Sequence, residues 1–106
     1  MINRIIMVAA IVALIMAAGA AQAGGDPARG KKLAYDCVDC HGEDGRGDDT
    51  TPNIAGLDET YHVEQLQAFK TGERTDEEEM MLLYTEELSD QDMADLAAYY
   101  ATLEGG

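Results

Sequence analysis

The chain has 106 residues, 21 of them acidic and only seven basic, for a net charge of −14. Such a surface cannot furnish the Lys and Arg contacts that phosphate backbones require and is repelled by anionic membranes, which excludes nucleic acid as a partner. Two cysteines three positions apart and no tryptophan provide neither a disulfide framework nor a large aromatic core, so a domain this small relies on something bound to complete its interior.

In chain order, Met1–Arg4 carries one positive charge, Ile5–Ala18 is an unbroken apolar run, and Ala21-Gln22-Ala23 is a small-residue A-x-A site. These features predict a signal peptide over residues 1–23, cleaved after Ala23, and therefore export to the periplasm. The apolar run falls short of the roughly 20 residues a spanning helix needs, so no stable membrane insertion is expected after cleavage. Residues 24–106 then form one domain, with 21 acidic residues against six basic ones and a net charge of −15. A partner with a basic docking face is expected, because complementary charge speeds encounter.

Asp26 and Pro27 suit the N-cap and first position of a helix that should run to about Cys40. Residues 42–53 hold glycines, acids and Pro52 with no hydrophobic period, and read as an extended loop. A second helix is predicted over 60–71, with Val63, Leu66 and Phe69 inward, Gly72 as terminator and His62 on the surface. Within 75–88, Glu77–Glu79 suit a first helical turn before the apolar block Met80–Leu83. Ser89 and Asp92 approximate a capping box for the last helix, whose stripe is Met93, Leu96, Ala97 and Tyr100. No segment alternates as a strand does, so the expected fold is small and all-α.

The chemistry concentrates at Cys37-Val38-Asp39-Cys40-His41. In an exported chain, Cys-x-x-Cys-His is the attachment signal for c-type haem. Residues three apart on one helical turn project to the same side, so both thiols reach the vinyl groups of one porphyrin. His41 then falls beneath the iron as proximal ligand. A structural zinc site would need a second ligand pair, and a thioredoxin-type thiol pair belongs to a βαβ context; neither is present in the sequence.

With its flanks, the motif resembles the class I c-type cytochromes, particularly short bacterial periplasmic ones. Cys37–Gly42 matches the haem motif, and Pro52-Asn53-Ile54-Ala55-Gly56-Leu57 is similar to the family's P-N-L-x-G-L segment. Tyr61 through Gln65-Leu66 to Phe69-Lys70-x-Gly72-x-Arg74 resembles a helix of the mono- and dihaem members. Leu88–Tyr100 resembles their C-terminal helix. The resemblance implies a small cytochrome c fold, with three to five helices wrapped around one covalently bound haem c and its iron. It implies that the Pro52 carbonyl orients the His41 ring, and that Gly30 sits against Leu96 and Tyr99. It places the sixth ligand seven residues before Leu88, at Met81, with Met80 as the alternative and Met93 as core packing. By themselves, two adjacent methionines in an apolar block would read as core filler. No requirement of the family accounts for Glu77–Glu79; close to the haem, their charge would favour ferric iron and lower the potential.

The expected function is single-electron transfer without catalysis, since His/Met ligation leaves no open coordination site for a substrate. The redox partner would be an oxidase, reductase or dehydrogenase. Alternatives are a cytochrome subunit of a periplasmic dehydrogenase, such as a flavin-containing sulfide dehydrogenase, and a haem protein binding gas or peroxide. A thiol–disulfide protein without haem is the weakest reading.

Overall fold

The computed structural model describes residues 24–105; the expected signal peptide over 1–23 lies outside them. Among the described residues there are five α-helices and no strand: α1 Pro27–Leu33, α2 Val38–His41, α3 Glu59–Thr71, α4 Met80–Thr85 and α5 Asp90–Ala101. A 3-10 turn, Ala34–Asp36, joins α1 to α2. No helix among these residues is long and apolar enough to cross a membrane.

The Asp26 carboxylate accepts from the amides of Ala28 and Arg29, and Pro27 follows at the position where its missing N–H costs nothing. The predicted single helix to Cys40 is instead broken. The Cys37 amide reaches back to the Ala34 carbonyl at 2.8 Å, a three-residue step that tightens the turn before α2. In α5, Ser89 Oγ accepts from the Asp92 amide while Asp92 accepts from the Ser89 amide, completing the predicted capping box.

α5 is the hub against which α1 and α3 pack, and α4 leans on α3. All four predicted stripe residues of α5 are buried, and Met93, Leu96 and Tyr100 join Ala34 and Leu66 in one cluster. Fully burying a large apolar side chain contributes about 1.5–3 kcal/mol, so this cluster dominates the apolar stabilisation of the fold. α1 crosses α5 at Gly30, where a Cβ would stand 1.9 Å from the Asp95 carbonyl oxygen and 2.8 Å from Tyr99 Cβ. Only glycine permits that approach. The nearest atoms belong to Asp95 and to Tyr99, the latter as expected.

The crossing is pinned by a polar clasp that the sequence reading did not foresee. The Asp95 side chain is 1% exposed, yet it accepts from the Asp26 amide (2.7 Å), Arg29 (2.7 Å) and Gln91 (2.8 Å). Chiefly through the Asp26 amide, these partners hold its carboxyl below the usual carboxylate range against the opposing effect of burial.

Two elements depart from expectation. In α3 the buried face is His62, Leu66 and Phe69, with Val63 only half-buried. The inner face therefore follows the i, i+4, i+7 rows instead of steps of three. α4 begins at Met80, and the three exposed glutamates precede it without forming its first turn. Glu79 takes a left-handed conformation (φ 54°) that no helix continues through.

Candidate haem-attachment site

The turn at Cys37–His41 is held by its own backbone. The His41 amide donates to the Cys37 carbonyl at 2.9 Å and the Gly42 amide to the Val38 carbonyl at 2.9 Å. Cys37 and Cys40 are free thiols; Cys37 is half-buried against the α1–α5 cluster, and Cys40 is exposed. Burial pushes the Cys37 thiol up from its ordinary value. A redox-active pair requires the opposite, a thiol driven toward thiolate.

His41 is 6% exposed, and its Nδ1 lies 2.9 Å from the Pro52 carbonyl oxygen. A carbonyl can only accept, so Nδ1 carries a proton and donates it to Pro52, which leaves Nε2 as the ring nitrogen available to a ligand. The loop is folded to make this contact. The Gly47 amide donates to the His41 carbonyl at 2.7 Å, and the Ile54 and Ala55 amides converge on the Gly45 carbonyl at 2.7 and 3.0 Å. Asp48 accepts from the amides of Thr50 and Thr51, an Asx turn just before Pro52. Gly47, at φ 70°, passes so close to this turn that a Cβ would lie 2.0 Å from the Thr51 carbonyl oxygen.

Met80 and Met81 open α4 and are both half-buried. Met81 packs against the same cluster as Cys37, so the structure brings thiol and thioether to one body of core. Met93 is 1% exposed, in the packing role expected of it.

His62, expected on the surface, is 4% exposed, and its ring faces Tyr100 at 5.7 Å between centroids. The sequence did hold a signal for this, the 62–66–69 spacing, which polar neighbours obscured. Its Nδ1 has no hydrogen-bond partner, and the buried Tyr100 hydroxyl sits beside the Cys37 thiol. Burial first, then the charge of His41, pushes His62 down to about 4. Above pH 6.5 the ring is neutral in both folded and unfolded chains, so it adds no pH dependence there. As pH falls from 6.5 to about 4, the unfolded chain binds the proton and the folded one does not, so stability drops by up to about 3 kcal/mol, at roughly 1.36 kcal/mol per unit. Urea unfolding should show wild type losing more stability than His62→Leu between pH 7 and pH 4.5. Equal losses would count against a neutral buried ring.

These residues fit a covalently attached porphyrin. Two thiols stand on one turn, a buried imidazole is braced through Nδ1 with Nε2 left to a ligand, a thioether lies on the same core, and the buried His62 ring beside Tyr100 has an unpartnered nitrogen. No group of three or more His, Cys, Asp or Glu side chains among the described residues forms a protein-only metal site.

Helices without strands, closed around a Cys-x-x-Cys-His turn whose histidine is braced by a proline carbonyl, define a c-type haem protein. The chain belongs to the cytochrome c family, whose sequence model matches residues 27–104. It is 45% identical over 85 residues to cytochrome c4 of Pseudomonas aeruginosa, covering 79% of this chain and 41% of that protein. It is 39% identical over 82 residues to cytochrome c-554(548) of Halomonas halodenitrificans, covering 76% of this chain and 99% of the relative. Among solved structures, the thiosulfate dehydrogenase of Marichromatium purpuratum superposes with a TM-score of 0.71 at 34% identity, over 77% of this chain and 20% of that one. The chain thus spans less than half of the cytochrome c4 and nearly all of the cytochrome c-554(548). It is a class I c-type cytochrome, whose cofactor is covalent haem c.

Proposed function

We propose that this chain is an exported single-electron carrier and not an enzyme, with Cys37 and Cys40 as the thioether attachments and His41 and Met81 as axial ligands. When bound, the haem supplies a one-electron iron couple. The chain's own residues do the rest. Pro52 holds the His41 ring in one tautomer and orientation, Cys37 and Cys40 fix the macrocycle permanently, and the α5 cluster supplies an apolar wall. The His41–Pro52 bond carries this reading, since a histidine braced through Nδ1 has Nε2 as its only free donor. With His41 and Met81 both holding the iron, no ligand position would remain for a substrate.

The A-x-A leader supports a periplasmic location. The likeness to a thiosulfate dehydrogenase structure supports a second reading of the same chemistry. In that reading the chain takes electrons from a periplasmic dehydrogenase, as its subunit or as its acceptor, instead of shuttling freely.

Attachment is tested on denatured protein. It should keep its haem through gel electrophoresis, stain for peroxidase activity, and have the mass of residues 24–106 plus one haem. Replacing both Cys37 and Cys40 with Ala should remove the stain entirely. A colourless wild-type chain with two free thiols would end the proposal.

A further inference from the structure

The backbone that carries Met80 and Met81 is held by one side chain from outside its helix. Oδ2 of Asp76 accepts from the Met80 amide and Oδ1 from the Met81 amide, both at 3.2 Å. The Glu79 amide closes the same turn on the Asp76 carbonyl at 3.1 Å. Asp76 is half-buried, whereas Glu77–Glu79 between it and the helix are exposed. The connection forces Glu79 into the left-handed region, the one non-glycine there among the described residues, a conformation unfavourable for an L residue. Asp76 and its two bonds maintain the turn against that strain.

At the other end, buried Thr85 donates to the Met81 carbonyl at 2.7 Å. Side chains thus grip both the amide and the carbonyl of Met81. α4 has six residues, far below the length at which a helix persists in water by itself. Its position depends on these grips and on packing against α3.

We propose that Asp76 is the positioning residue for the sulfur ligand: its carboxylate fixes the backbone of the methionine pair and so limits how often the sulfur leaves iron. The proposal rests on the reading that this pair supplies the sixth ligand. It does not depend on which of the two does so, because Asp76 holds both amides. Glu77, Glu78 and Glu79, though closer in sequence, bond neither.

The test is an imidazole titration of the ferric holoprotein, since imidazole binds iron only after the sulfur has left. Asp76→Ala should raise the apparent imidazole affinity about tenfold, the scale of a lost helix N-cap, and weaken the sulfur-to-iron charge-transfer band. Asp76→Asn, which keeps one acceptor oxygen, should lie between it and wild type. Ser89→Ala removes a cap of the same kind from α5, so it should lower the global unfolding midpoint and leave imidazole affinity unchanged. Wild-type imidazole affinity in Asp76→Ala, or an equal rise in Ser89→Ala, would overturn the proposal while leaving the ligand reading intact. A charge-transfer band that survives both Met80→Ala and Met81→Ala would overturn the ligand reading, and the proposal with it.

Discussion

Met81→Ala should abolish the weak sulfur-to-iron charge-transfer band at the red end of the ferric spectrum. It should also lower the reduction potential by a sizeable part of the roughly 0.8 V range that axial ligands span. A thioether raises the potential relative to a nitrogen or water ligand, so its loss stabilises ferric iron. Met93→Ala should leave the band intact, because Met93 is buried in the α5 core and not at the mouth of α4. It should cost about 2–5 kcal/mol of stability, as loss of a buried methionine does. If Met80→Ala abolishes the band and Met81→Ala does not, the ligand is one residue earlier. The burial of His62 makes a third variant informative. A wild-type ferric spectrum without the band, together with a haem spectrum altered in His62→Ala while circular dichroism shows correct folding, would replace His/Met ligation by a histidine pair.

The rate of electron transfer to the physiological partner should fall at least tenfold between low and high ionic strength. Residues 24–106 carry 15 net negative charges, and attraction to a basic docking face accelerates encounter by 10- to 1,000-fold until salt screens it. The Debye length is about 10 Å at 0.1 M, so most of the fall should occur below that concentration. Glu77, Glu78 and Glu79 are all exposed and run directly into α4, beside the proposed sulfur ligand. Reversing the three to Lys should therefore slow the reaction at low salt and flatten its salt profile. The competing surface is apolar: Leu83 and Tyr84, 60% and 39% exposed, stand on the same helix. Docking through them would give a rate indifferent to salt in wild type, and the triple reversal would change little. Stopped-flow measurement with the true partner separates the two, and either result leaves electron transfer itself standing.

What the sequence determined by itself is whatever is written in short-range spacing. Two cysteines and a histidine within five positions are brought together by a single turn, whatever the rest of the chain does. The capping box at Ser89, the Asp26 cap and the α5 stripe are likewise local, and each was found where the sequence placed it. Resemblance to a family extended that reach to Pro52, eleven positions from His41, and the 2.9 Å contact between them agrees.

Only the tertiary structure decided the rest, because burial and loop closure depend on partners that lie far away in sequence. Asp95 is an acid inside an apolar stripe, and it is tolerated there because Asp26 and Arg29 arrive from the other end of the chain. His62 looks polar among polar neighbours, but α3 meets α5 along the row through Leu66, which carries the ring inward against Tyr100. Three glutamates before an apolar block satisfy every local rule for a helix start. The carboxylate that caps the block is nonetheless Asp76, because the left-handed turn at Glu79 aims the first amides of α4 back at it. Local propensity ranks the residues nearest a helix start; only the path of the chain selects the one whose oxygens reach the amides.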